Sequence, residues 1–232
     1  MKPRRALIGP GLLAAAYMVG ATLVALRSIN LEFVFYALVM LVLIGTVWWL
    51  DARVRLSTLS LWCLSIWGLA HMMGGTVPIP AHLAEPGEQQ VLYSLRLGAW
   101  APKYDQVVHA FGFFTTTLVA WRALNAAVGG VRREDGTVTG GVAPGRSLPP
   151  TFGPIFAAMM VSMGLSAMNE IIEFVATLVF TETNVGGYVN TGWDLVSNLT
   201  GCVIAGVLIR ITTARAHRPS SGPESGRATA SR

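Results

Sequence analysis

The sequence predicts an all-α fold, a polytopic membrane bundle of six transmembrane helices. Three observations carry this. Hydrophobic residues make up 53% of the 232 residues and charged residues only 12%, against about 25% in a soluble domain. Apolar runs of membrane-spanning length recur along the chain. The Lys and Arg residues fall between those runs with a one-sided bias.

The predicted spans are about 6–26, 33–50, 57–76, 105–124, 155–180 and 193–210, forming one transmembrane domain over 1–212. The first run, Ala6 to Leu26, follows Lys2, Arg4 and Arg5 and holds no charge until its end. It exceeds the 7–15 residues of a signal-peptide apolar region, so it is expected to remain as an anchor helix. The second run ends in Trp48-Trp49, a pair suited to the membrane interface. Pro78 and Pro80 stop the third. A polar stretch from Ala81 to about Lys103 separates it from the fourth, and a Gly-, Pro- and charge-rich loop from Val128 to Pro150 precedes the fifth. The fifth is long enough to tilt or to carry an irregular turn. A short turn with Gly186-Gly187 leads to the sixth. The tail, 213–232, has almost no apolar bulk and is expected to be a disordered cytoplasmic segment.

With both termini placed in the cytoplasm, 14 of the 17 Lys and Arg residues fall on inner segments. Only Arg27, Arg96 and Lys103 fall outside. This positive-inside pattern predicts a multi-pass protein of the inner (plasma) membrane. It also explains the net charge of +5 without nucleic acid, since no basic patch is interleaved with aromatics. Cys63 and Cys202 lie inside apolar runs and read as packing residues. No internal repeat marks an inverted-repeat transporter.

Polar groups at membrane depth are rare and informative. His71 lies one turn before the end of the third span, ahead of Gly74-Gly75. Asp105 and His109 open the fourth, and their i,i+4 spacing puts both on one face. Glu170 and Glu173, i,i+3, sit in the fifth. Asp194 and Asn198, again i,i+4, open the sixth. The alternation of spans brings all four groups to the outer half of the membrane. Lone carboxylates cannot face lipid cheaply, so they are expected to meet each other, a cation, a basic partner or water. Arg96, Lys103 and the two histidines are the nearby positive groups.

Bland roles stay open. Asp105 and Asp194 can be N-caps, and His109 can be packing glue held to Asp105 or a carbonyl. His71 can be a satisfied histidine at a helix end. Glu170 and Glu173 have no capping role. Asn198-Leu199-Thr200 matches a glycosylation sequon, but its helical position makes that a poor reading.

The run Asp105-Gln106-Val107-Val108-His109-Ala110-Phe111-Gly112-Phe113 resembles the D-x-x-x-H-x-x-x-F signature of VanZ-like membrane proteins. Glu170 and the later Asp194, Asn198 and Gly201 complete that pattern. The spacing of Glu170, Glu173 and Phe174, the Trp193-Asp194 pair and His71 before Gly74-Gly75 look more like YjdF-like inner-membrane proteins. The resemblance covers roughly residues 57 to 210. VanZ-like proteins tend to have Gln where Glu173 stands. The YjdF-like pattern has one more residue after the histidine and further acids before Trp-Asp. The resemblance implies a cell-envelope role and no defined reaction.

Three functions follow as alternatives. The first is a binding protein whose outer polar pocket, roofed by 78–103, holds an amphiphile, a lipid headgroup or a cell-wall-related, lipid-linked ligand. Asp105, Asp194 and Asn198 are its candidate ligand contacts. The second is a membrane-embedded hydrolase or transferase acting on a lipid. There His71, His109 and Glu170 would hold a divalent metal such as zinc, and Glu170 or Glu173 would serve as catalytic base. The third is a small cation-coupled transporter. Membrane lipids are the expected partners, and the oligomeric state stays open.

Overall fold

A computed structural model describes residues 4–28, 31–96, 98, 100–133, 135–180, 183 and 185–216. It is all-α apart from one small hairpin. Six helices follow in order: α1 (Arg5–Ser28), α2 (Leu31–Val54), α3 (Thr58–Thr76), α4 (Tyr104–Gly129), α5 (Phe152–Val179) and α6 (Tyr188–Ala216). Strands β1 (Val131–Arg132) and β2 (Val138–Thr139) pair antiparallel between α4 and α5.

Five of these helices are long and apolar enough to cross a membrane: α1, α2, α4, α5 and α6. Their outward faces carry residues such as Leu12, Val42, Leu165, Leu178 and Val203, all exposed. In lipid that is the favourable arrangement, because backbone polar groups are satisfied within each helix. α3 is the exception. Ser60, Ser65, His71 and the paired glycines dilute its hydropathy. Part of that polarity turns inward, where the buried Ser65 hydroxyl donates to the Pro10 carbonyl at 2.7 Å.

The helices extend past the apolar runs that announce them. α4 continues from the expected 124 to Gly129, ending at Gly130 with φ of 76°, a left-handed turn favouring glycine. α6 begins at Tyr188 rather than near 193 and runs to Ala216, taking in residues 213–216 of the expected tail. The added turns mix small, polar and apolar residues, such as Ala126, Ala127, Asn190 and Thr213, so they do not stand out as apolar runs. α5 is a continuous α-helix without an irregular turn. The rest of the tail, 217–232, and His217 lie outside the described residues.

α4 and α6 form the most extensive helix pair, and α5 packs on both. α4 and α6 approach closely at Gly201, where a Cβ would run into the Ala110 carbonyl oxygen and the Phe114 amide nitrogen. Small residues let helices approach in this way where burial from water supplies no driving force. α1 packs mainly on α3. α2 leans on α1 and touches α4 only lightly, so it is the loosest wall.

At the end of the bundle holding the hairpin, buried Asp51 accepts from the Arg4 guanidinium at 3.0 Å and from the Leu56 amide at 2.9 Å. Arg4 also donates to the Leu56 carbonyl at 2.7 Å. Ser57 then caps α3 by accepting from the Ser60 amide. The opposite end is covered by a roof, residues 77–96, 98 and 100–103. Bridges between Pro78 and Val91 and between Ala84 and Leu95 fold it over the helices. The Arg96–Glu85 ion pair and a Lys103–Glu88 pair at 2.7 Å pin it.

Candidate functional site: a buried polar centre under the roof

The polar residues of the sequence meet at the roofed end. α4 opens at Tyr104 with Lys103 as N-cap, so Asp105 stands inside the first turn rather than capping it. α6 opens at Tyr188, which puts Asp194 well within the helix. Neither aspartate is therefore an N-cap. The i,i+4 spacings turn Asp105 with His109, and Asp194 with Asn198, toward the α4–α5–α6 seam.

His109 sits at the middle. Its Nδ1 lies 3.0 Å from Asn198 Oδ1. Its Nε2 lies 3.5 Å from Asp105 Oδ1 and 3.9 Å from Glu173 Oε1. Glu170 Oε1 is 3.8 Å from Nδ1. Asn198 is wholly buried, and its amide donates to Ser166 Oγ at 2.7 Å and to Glu170 Oε1 at 3.4 Å. Glu173 Oε1 accepts from Asn169 at 2.7 Å.

A second chain of bonds closes the centre from above. The Lys103 ammonium, in a residue only 4% exposed, donates to Glu88 and to Asn190 Oδ1. Asn190 Nδ2 in turn donates to Asp194 Oδ2 at 2.6 Å and to Asp105 Oδ2 at 3.4 Å. Two buried carboxylate oxygens, Glu170 Oε2 and Asp194 Oδ1, have no hydrogen-bond partner among the described residues. Buried acceptors of this kind are uncommon and mark a site that wants a donor or a cation.

Beside His109 a cavity of about 50 Å³ is bounded by Glu32, Phe33 and Tyr36 of α2, His71 of α3, Tyr93 of the roof, and Asp105 and Glu173, among others. His71 stacks on Trp67 and meets the edge of Tyr93. The Tyr93 hydroxyl donates to the His71 carbonyl at 2.7 Å. Burial pushes the Tyr93 phenol well above its ordinary range, aided by the charges of Asp105 and Glu173. It therefore stays protonated and fixed as a donor. Tyr36 Oη is buried without a hydrogen-bond partner among the described residues.

The structure thus brings together Asp105, His109, Glu170, Glu173, Asp194 and Asn198. Two groups among the described residues have ligand atoms within 4.8 Å of one another: Asp105, His109 and Asp194, and His109, Glu170 and Glu173. His71 belongs to neither; it faces the cavity instead. Sequence reasoning passed over Glu32, Tyr36, Tyr93, Ser166 and Asn190. For Asn190 a signal exists: Asn190, Asp194 and Asn198 form one i,i+4,i+8 stripe. Glu32 opens the second helix at the same end of the bundle, yet a first-turn acid reads as a dipole partner. Tyr36, Tyr93 and Ser166 carry no pattern of their own.

An apolar helical bundle with carboxylates, amides and an imidazole packed at one end defines an integral membrane protein with a buried polar centre. Over residues 10–215 the chain matches the model of a family described as "Predicted membrane protein (DUF2238)", and it belongs to that family. No curated protein and no solved structure matches it.

Proposed function

We propose that this chain is a six-span protein of the plasma membrane whose outer-half pocket binds the cationic headgroup of an amphiphile. The carrying observation is the composition of the roofed cavity: three carboxylate residues, Glu32, Asp105 and Glu173, with the rings of Phe33, Tyr36, His71 and Tyr93. Carboxylates and ring faces are the groups that attract a cation. The unpartnered Tyr36 oxygen supplies an acceptor for an ammonium N–H.

Charge bias supports a roofed end outside, α3 as a sixth span and both termini in the cytoplasm. Trp100, fully exposed on the roof, suits the headgroup layer. The motif order also supports kinship with VanZ-like and YjdF-like proteins, and with it an envelope role.

Size selects the group. A cavity of about 50 Å³ is small. A primary ammonium with its first carbons fits it more readily than a bulkier trimethylammonium does. The wall formed by α2, the loosest helix, is the entry side for a lipid.

The test is binding in nanodiscs by chelator-stripped protein. Phosphatidylethanolamine should compete for the site, and phosphatidylcholine and phosphatidylglycerol should not. Tyr36→Phe and Glu173→Gln should each weaken the interaction about tenfold or more, since a hydrogen bond to a charged group contributes about 1.5–3 kcal/mol. Equal binding of all three lipids, or variants that bind like the wild type, would overturn the proposal.

A further inference from the structure

We infer that the α4–α6 seam is a divalent-metal site, held by Asp105, His109 and Asp194 and oriented by Asn198. It adjoins the amine pocket and stands on its own geometry.

The orientation of His109 is the first argument. The Asn198 amide faces two partners besides His109: Ser166 Oγ at 2.7 Å and Glu170 Oε1 at 3.4 Å. A carboxylate only accepts, so the Asn198 NH₂ turns toward Glu170 and its oxygen toward His109. His109 Nδ1 must then carry the proton and donate to Asn198 Oδ1 at 3.0 Å. That leaves the Nε2 lone pair aimed at Asp105 and Glu173. A histidine with one nitrogen tied to a carbonyl-type oxygen and the other presented to carboxylates is the usual arrangement of a metal ligand.

Distance is the second argument. Were His109 an imidazolium paired with Asp105, the N–O separation would be about 2.7–2.9 Å. The observed 3.5 Å is wider. Two ligands about 2.1 Å from a tetrahedral ion stand about 3.4 Å apart. The gap therefore has the width of two atoms sharing an ion rather than a proton.

The third argument is the unpartnered oxygen. Asp194 is fully buried, and although Asn190 occupies Oδ2, Oδ1 has no hydrogen-bond partner among the described residues. Asp194 belongs to the group whose ligand atoms all lie within 4.8 Å. The overlapping group of His109, Glu170 and Glu173 shares the same imidazole, whose Nδ1 is tied to Asn198, so one ion is expected. Asp105 lies nearer to Nε2 than Glu173 does, at 3.5 against 3.9 Å, and Glu173 Oε1 is already occupied by Asn169. Glu173 is left facing the ion's open side, within reach of a bound water. One imidazole with two carboxylates suits Zn²⁺, Mn²⁺ or Co²⁺ better than a soft ion.

The experiment uses the full chain in nanodiscs, stripped with a chelator and titrated with Zn²⁺ and Co²⁺. One equivalent should bind, and Co²⁺ should give visible bands of a nitrogen–oxygen site. His109→Ala and Asp194→Asn should weaken binding at least about 100-fold. Asn198→Ala, which releases the orienting bond, should weaken it about 10–100-fold. Absence of stoichiometric Zn²⁺ or Co²⁺ in the wild type overturns the assignment, as does wild-type binding by both His109→Ala and Asp194→Asn. If either ligand variant fails to fold, the wild-type Co²⁺ spectrum decides. The amine measurement is made on stripped protein, so failure of one site is distinguishable from failure of the other.

Discussion

Gly201→Ala is the sharpest probe of how the helices hold the polar centre. An added Cβ would stand 2.8 Å from the Phe114 amide nitrogen and closer still to the Ala110 carbonyl oxygen. Both are backbone atoms and cannot swing aside. Ordinary contact begins at 3.4 Å, so α6 and α4 must part by at least about 0.6 Å. Ala110 adjoins His109, and Gly201 lies one turn from Asn198. Stretching their 3.0 Å bond by that amount brings it to about 3.6 Å, which is no longer a hydrogen bond. Overpacking of this kind costs about 1–3 kcal/mol, or about 2–12 °C in melting temperature for a chain of this size. The control is Gly206→Ala on the same helix, whose Cβ would meet only side-chain atoms of Ile155 and Met159, at 3.1 Å, and no backbone. Thermal unfolding in nanodiscs and a Zn²⁺ titration are run on both. Gly201→Ala should melt lower and bind Zn²⁺ about tenfold or more weakly. If the two variants melt within about 1 °C of each other and bind alike, the seam does not set the site.

Two further predictions concern the scaffold. Asp51→Ala leaves the Leu56 amide and the Arg4 guanidinium without their shared acceptor; a loss of about 2–3 kcal/mol is expected in denaturant unfolding. Asp51→Asn, which keeps one acceptor oxygen, should lose less than half of that. In a Cys63→Ala background, Gly87→Cys on the roof should react with an impermeant maleimide on intact cells. Asp135→Cys beside the hairpin should react only after permeabilisation, and the reverse pattern would invert the topology.

Much of the fold was legible because a bilayer imposes one strong rule. Long apolar runs must be helices, and Pro78, Gly130 and the polar loops mark where they stop. The ends were less legible. Tyr188–Gly192 and Thr213–Ala216 are helical turns that lipid does not select, so hydropathy passes over them. The i,i+4 pairs announced the centre because helical period alone puts Asp105 with His109, and Asp194 with Asn198. The partner of each pair could not be read that way. For His71 the sequence leaves a satisfied helix-end histidine and a metal ligand both open; in the structure Trp67 and Tyr93 pack on its ring at the cavity wall. Tyr36 and Tyr93 contribute through tertiary contacts between distant segments, and no spacing encodes those.

The light attachment of α2 has a consequence for selectivity. A headgroup that passes that helix arrives sideways, from a phase in which lipids are the solvent and not the solute. Filling such a hollow demands little absolute affinity, since every vacancy is bordered by candidates. If the pocket binds a lipid headgroup as proposed, what distinguishes one occupant from another is the difference between competing lipids, and the membrane's own composition becomes part of the protein's set point.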